Sequence, residues 1–166
     1  MPYPKSSGRY QTHTDLKRLT RLLLLVCCIA GSERAHADWC KVTGGGVAFG
    51  AYNPLASSNL DTTGSLVMQC NSTFNVILSI SLGSGKGATY SGGRKMTNAK
   101  QNTLIYNLYT DATRTQVLGD GTGGSVTMQI SGRNTYTQPI WARILGNQRT
   151  AAAGSYVDSV VVTISY

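Results

Sequence analysis

The side chains able to do chemistry are few, and where they lie decides which chemistry is open. Both histidines, His13 and His36, and the only glutamate, Glu33, precede residue 38. Beyond it the carboxylates are Asp38, Asp61, Asp111, Asp120 and Asp158, and the cysteines are Cys40 and Cys70. A nucleophile–base arrangement of the Ser-His-Asp or Cys-His kind needs an imidazole, as does a His-based zinc site. Two aspartates could form a dyad in principle, but no imidazole is present to share proton transfer at neutral pH. The expectation is a non-enzymatic chain with no catalytic residue, no cofactor and no metal. Three weaker patterns point the same way. Gly83-Ser84-Gly85-Lys86-Gly87 lacks the G-x-x-x-x-G-K-[ST] spacing of a phosphate loop and no helical pattern follows, so it reads as a hairpin loop with a solvated lysine. Asp111 and Asp120, with Gly119 and Gly121, lack the spacing of a calcium loop and read as turn residues. Asn71-Ser72-Thr73 is a formal glycosylation sequon against Cys70 and a strand, and reads as idle. Arg94, Lys95 and Lys100 read as a basic cluster on a solvated edge.

The segment before residue 38 has its own logic. Lys5, Arg9, Lys17, Arg18 and Arg21 form a basic region, residues 22–30 (LLLLVCCIA) are apolar throughout, and Ala35-His36-Ala37 is an A-x-A site. That order is the order of a secretory signal peptide, with Ala35 and Ala37 marking cleavage; the alternative is an N-terminal helix of the fold. Val26 before Cys27 does not suit a lipoprotein signal. Residues 1–37 hold six of the 15 basic and two of the seven acidic side chains, so the formal charge falls from +8 to +4 after cleavage. Most of the basicity is therefore targeting signal, and nucleic-acid binding loses its main support. No apolar run approaches the ~18 residues of a membrane span. In an oxidising compartment Cys40 and Cys70 have one intramolecular pairing open to them. It would close a loop of about thirty residues, worth about 3–4 kcal/mol by chain entropy. The alternative is two buried free thiols.

The elements that must position these residues are strands. Val47, Phe49 and Ala51 alternate with their neighbours until Asn53-Pro54 breaks the run. Leu66, Met68 and Cys70, then Val76, Leu78 and Ile80, repeat the pattern, and residues 64–81 read as two central strands. Leu104, Tyr106 and Leu108 share one face of residues 103–109; Val126, Met128 and Ile130 share another; residues 140–145 form a shorter candidate. Glycine-rich turns separate the runs, at residues 44–46, 83–87, 92–93, 119–124 and 146–147. Period two fits better than 3.6 throughout, which predicts an all-β antiparallel sandwich or barrel in one domain over residues 38–166. The last run, residues 156–166, is the longest, with Val160, Val162, Ile164 and Tyr166 on one face. So apolar a strand belongs inside a sheet, where its backbone needs neighbours on both sides. Either an earlier strand covers its free side, or a strand from another chain does.

These stretches also carry a family resemblance. Val47-Ala48-Phe49-Gly50 with Tyr52 and Pro54, residues 64–70 ending at Cys70, Arg94 and Met96, residues 104–111 (LIYNLYTD), Gly119-Asp120-Gly121 and residues 154–164 (GSYVDSVVVTI) span almost all of residues 38–166. In combination the chain resembles the spore coat protein U-like domain family, which includes the pilins of archaic, Csu-type chaperone–usher pili of Gram-negative bacteria. One departure is Leu145-Gly146-Asn147-Gln148 after Trp141-Ala142-Arg143-Ile144, where the family usually reads Pro-Ala-Gly-Gln after Tyr-Gly-Arg-Ile. The resemblance implies an incomplete immunoglobulin-like β-sandwich lacking its final strand. A periplasmic chaperone strand and then the donor strand of a neighbouring pilus subunit would fill the gap, with an usher directing assembly. It also implies that Cys40 and Cys70 are bonded, that Val160, Val162 and Ile164 line the acceptor groove, and that the protein passes through the periplasm to the cell surface or beyond. A host or abiotic surface is the further partner of an adhesive subunit. Only Asp38 and Trp39 would precede Cys40 after cleavage, too little for a donor strand, which suits a terminal or accessory position. The competing reading is a free-standing secreted or envelope binding or coat protein that does not polymerise.

Overall fold

The computed structural model describes residues 38–166; the expected signal segment, with the expected cleavage site at Ala35 and Ala37, lies outside the described residues. The strands are β1 (Cys40–Gly46), β2 (Leu60–Ile80), β3 (Arg94–Thr97), β4 (Thr103–Tyr109), β5 (Met128–Ile144) and β6 (Val162–Ser165). All pairings are antiparallel, in the order β1-β2-β5-β4-β3, and β6 pairs with β2 as well. This is an all-β chain, a sheet curled into an open half-barrel whose edges stand 13 Å apart, as an incomplete immunoglobulin-like sandwich would be.

The curl follows from two strands that are longer than their apolar runs suggest. Residues 64–81 do not form two strands. All but Ser81 belong to a single 21-residue β2, and the runs around Ile130 and Ile140 belong to one 17-residue β5. The β2–β5 ladder shifts register between Gln69 and Thr73, where three residues of β2 face one residue of β5, Asn134, at φ 56°. Such a bulge bends and twists a strand without ending it. Period-two patterning persists through it, so the strand keeps one buried face on either side of the bend. Met68, Leu78, Ile80, Leu118, Ile140 and Ile144 are among the most buried members of the single core that the curl encloses.

Two expected strands are shorter on the ladder than in the pattern. Residues 47–52 carry no strand hydrogen bonds, although Val47, Phe49 and Tyr52 still turn inward. Of residues 156–166 only Val162–Ser165 is laddered, against Ile77–Ile80 of β2. Upstream, Val157 makes a single bridge to Thr97 of β3. The final segment thus crosses from the β3 side to β2, inward at Tyr156, Asp158, Val160, Val162 and Ile164 and outward between them. Arg94 corrects the expectation of a solvated basic cluster: it is fully buried, while Lys100 is exposed. Its Nε donates to Ser81 O (3.1 Å), and Nη2 donates to Leu118 O (2.7 Å) and Ile80 O (3.3 Å). The guanidinium also lies 5.1 Å from the Tyr90 ring centre. Three carbonyls and an aromatic face replace the water that burial removes.

Candidate functional site

Both incompletely laddered segments border the same space. Along one side run β1 and residues 47–52; along the other run residues 151–162. Between them lies a groove in two adjoining chambers of about 620 and 630 Å³, which share Val47, Phe49, Met96 and Tyr156 in their walls. The first chamber is floored by core side chains including Leu66, Ile80, Leu108 and Ile140, the second by Leu104 and Ile144.

Strand alternation explains why the groove is apolar below and polar along its walls. Val161 sits 66% exposed and turns its backbone toward β2: its N–H donates to Ser81 Oγ and its C=O accepts from Ser81 N–H, both at 2.9 Å. Successive strand residues present their backbone groups to opposite sides, so those of Val160 and Val162 point away from β2. On the facing wall, Trp39 C=O accepts from Asn71 N–H of β2 at 3.2 Å. The same alternation turns the Val42 backbone outward. A strand laid between these walls would meet hydrogen-bonding edges on both sides. Strands in a sheet lie ~4.8 Å apart, and the edges of the curled sheet stand 13 Å apart, too wide for direct pairing and wide enough for one intervening strand.

The first wall approaches β2 closely because glycine permits it. A Cβ on Gly64 would fall 2.1 Å from Gly46 O and 2.7 Å from Val47 Cγ2, so this position must be bare for the chain to pass from β1 into residues 47–52. Gly44, Gly45 and Gly46 contribute backbone alone to the groove margin.

The second wall is held by polar contacts. Asp158, the only charged residue among the described residues bordering either chamber, accepts from Ser84 N–H, Ser84 Oγ–H and Ser159 N–H at Oδ1, each at 2.8 Å. Its Oδ2 accepts from the Tyr106 hydroxyl at 2.8 Å. Burial, and then the bond to Asp158, push the Tyr106 phenol well above its ordinary range, so it stays protonated and donating. The carboxylate thereby ties the final segment to β4 and to the loop after β2.

Val160 and Val162 border the first chamber, whereas Ile164 packs against the core beyond it. The structure joins Cys40 to Cys70 in a disulfide with Cα atoms 4.2 Å apart, at the β1–β2 pairing next to the bulge. Tyr156, Phe49 and Met96, which form the waist, were not among the sequence candidates. Tyr156 shares the inward parity of Val160 and was legible on that ground; Phe49 and Met96 lie far away in sequence and nothing in local pattern joins them to it. Among the described residues no group of three or more His, Cys, Asp or Glu is placed to hold a metal ion, and no helix is long and apolar enough to cross a membrane.

Among curated proteins none matches the chain. Among solved structures the fold is similar to a chain of the pre-assembly complex between the chaperone CsuC and the tip adhesion subunit CsuE, from the archaic chaperone–usher Csu pili of Acinetobacter baumannii. The TM-score is 0.56 at 15% identity, covering 78% of this chain and 40% of that one. A likeness at this identity speaks for the fold. The Spore Coat Protein U domain model matches residues 30–163. By that match, which takes in both walls of the groove, the chain belongs to the Spore Coat Protein U domain family, a structural and adhesive class without catalytic activity.

Proposed function

We propose that this chain is an exported structural or adhesive subunit completed by a β-strand from another polypeptide, as in donor-strand complementation. The observation that carries the reading is the groove itself: two inward-alternating segments border an open groove with an apolar floor, in a curled sheet whose edges stand 13 Å apart. Strand addition uses what such a gap offers, backbone hydrogen bonds for affinity and alternating side-chain pockets for specificity. In this reading a periplasmic chaperone covers the groove first and a neighbouring subunit replaces it at the usher. The chain then works at the cell surface, within a pilus, with a host or abiotic surface as its adhesive target. Val160 and Val162 act as acceptor residues, with Ile164 supporting them from the core, and the Cys40–Cys70 bond anchors the first wall. The likeness to a Csu pilus assembly complex and membership of the family support the reading.

The test uses the exported protein and a fifteen-residue peptide of alternating Val and Thr as donor. Ligand binding at a hundredfold excess over Kd adds about 2.7 kcal/mol of stability, read as a rise in melting temperature. Val160→Lys and Val162→Lys, which bury an unpaired ammonium in the groove, should abolish that rise. Val161→Lys, on the outward face, should retain it. A protein that stays monomeric and soluble, melts cooperatively and gains nothing from any strand peptide or chaperone would instead be the free-standing binding or coat protein.

A further inference from the structure

Residues 47–52 lack what ordinarily holds a strand. They carry no strand hydrogen bonds, so their place depends on side chains. Thr62 Oγ donates to Ala48 O at 3.2 Å, and the Phe49 ring meets the Tyr106 ring edge-on with centres 5.9 Å apart. At the far end of the segment stands Tyr52, which borders the second chamber. Its hydroxyl donates to Leu145 O at 2.8 Å and accepts from Gln148 N–H at 3.3 Å. The second wall starts from the same place. Ala151 N–H donates to Gln148 O at 2.9 Å, and residues 151–156 go on to border the second chamber. Gln148 is itself fixed on β4. The β4–β5 ladder runs from Tyr106 to Tyr109, and beyond it Leu145 N–H reaches Ile105 O at a long 3.4 Å. There the Gln148 carboxamide takes the place of a peptide unit. Its Oε1 accepts from Ile105 N–H at 2.7 Å, and its Nε2 donates to Ile105 O at 2.8 Å and to Leu145 O at 2.9 Å. Asn147 N–H braces the same turn through Ala56 O at 2.8 Å. One phenolic oxygen thus joins the end of the first wall to the root of the second.

From this we infer that Tyr52 and Gln148 form a clasp that presets the spacing of the two walls before a strand arrives. The inference rests on the strand-addition reading and adds two positioning residues to it; they act through the walls, not by touching the strand. A wall without ladder bonds must be ordered when a strand binds, and that ordering costs affinity. The clasp orders both walls in the empty protein instead. Without it, a smaller fraction of molecules has its walls in place, and the apparent affinity falls by that fraction. The clasp needs the hydroxyl of Tyr52 more than its ring. From Gln148 it needs the two amide hydrogens as well as the carbonyl oxygen, since Ile105 O and Leu145 O are both acceptors.

The experiment follows a fluorescein-labelled form of the alternating Val/Thr peptide by stopped-flow anisotropy, with the exported protein and its Tyr52→Phe and Gln148→Glu variants. The first variant keeps the ring and drops the hydroxyl. The second keeps the shape and the acceptor for Ile105 N–H, but a carboxylate has no hydrogen to give to Ile105 O or Leu145 O. Each should slow association about tenfold, the worth of one hydrogen bond. Dissociation should stay within about twofold of the wild type, because the bound strand then holds the walls. As pH falls below about 4.3 and the introduced carboxyl protonates, Gln148→Glu should regain part of its association rate, whereas Tyr52→Phe should not. In the free Tyr52→Phe protein, amide exchange should accelerate at Ala151, on the opposite wall, and stay unchanged at Met68, which also reports that the variant is folded. Wild-type association in both variants, a loss carried by dissociation alone, or unchanged exchange at Ala151 would overturn the clasp and leave strand addition standing. If the peptide fails to bind the wild-type protein, strand addition itself fails and the clasp falls with it.

Discussion

Replacing Arg94 by methionine tests whether the groove's far wall depends on a buried cation. Arg94 contributes three hydrogen bonds, to the carbonyls of Ser81, Ile80 and Leu118. The Ile80 carbonyl also accepts from the Tyr90 hydroxyl at 2.9 Å and keeps that partner in the variant. The Ser81 and Leu118 carbonyls lose their side-chain donor, at about 1–3 kcal/mol each for a buried polar group left unsatisfied. Against this, the variant no longer has to desolvate a guanidinium, which burial already penalises strongly enough to lower its proton affinity, and whose Nη1 has no hydrogen-bond partner among the described residues. Methionine also fills much of the space with flexible apolar volume. The balance is a loss of about 3 kcal/mol, near the cost of breaking a buried charged contact. For a domain of this size that is a fall of roughly 10 °C in melting temperature. The effect should be local as well as global. Ser81 N–H and Oγ hold Val161 in place, so amide exchange at Ser81 should accelerate more than at Met68, deep in the opposite part of β2. The assay is urea unfolding with the disulfide intact, with residue-resolved hydrogen exchange alongside. A loss below about 1 kcal/mol, or uniform acceleration of exchange along β2, would refute the argument that Arg94 positions this wall.

Other expectations follow from the same contacts. Replacing Cys40 and Cys70 together by serine should cost about 3–4 kcal/mol, since the bond closes a loop across a sequence separation of 30; the midpoint in urea, against the wild type with and without reductant, measures it. Gly64→Ala drives a methyl group into Gly46 O and Val47. It should cost about 1–3 kcal/mol and weaken strand-peptide binding more than the stability loss alone accounts for, as the first wall shifts; equal binding by variant and wild type would contradict it. Stability should decline in acid. Asp61 is held below its ordinary value of 3.8, chiefly by the hydrogen bond from Arg143 at 2.7 Å, with Arg114 nearby. A carboxyl whose folded value is depressed contributes stability above the unfolded value and loses it as pH falls below 3.8 toward the folded one. Asp61→Asn should therefore flatten the acid limb of an unfolding titration, modestly because the pair is solvent-accessible, and leave the neutral plateau lowered by the same small amount.

Much of the molecule could be read without coordinates. Period-two alternation located the buried faces of β2, β4 and β5, because in a strand every second side chain must face the core. The missing histidines and glutamate beyond residue 37 narrowed the function classes on composition alone. The apolar final run was legible as well, with Val160 and Val162 on its inner face, where the structure sets them at the border of the first chamber. What alternation does not carry is which pattern becomes a ladder. Residues 47–52 alternate as well as residues 103–109 do, yet only the latter are paired, since pairing depends on a neighbour supplied from elsewhere in the chain. Nor can a local pattern show that β2 and β5 run on through a bulge, because the alternation reads the same on either side of it. Arg94 illustrates the limit most plainly. Among Lys95 and Lys100 it looks like surface, and its burial depends on three carbonyls from residues 80, 81 and 118, which come together only when the sheet curls. The waist of Phe49, Met96 and Tyr156, and the chamber beyond it, likewise come from three distant parts of the chain. Alternation along one strand specifies a face; the shape of a gap between two unpaired segments exists only once both are in place.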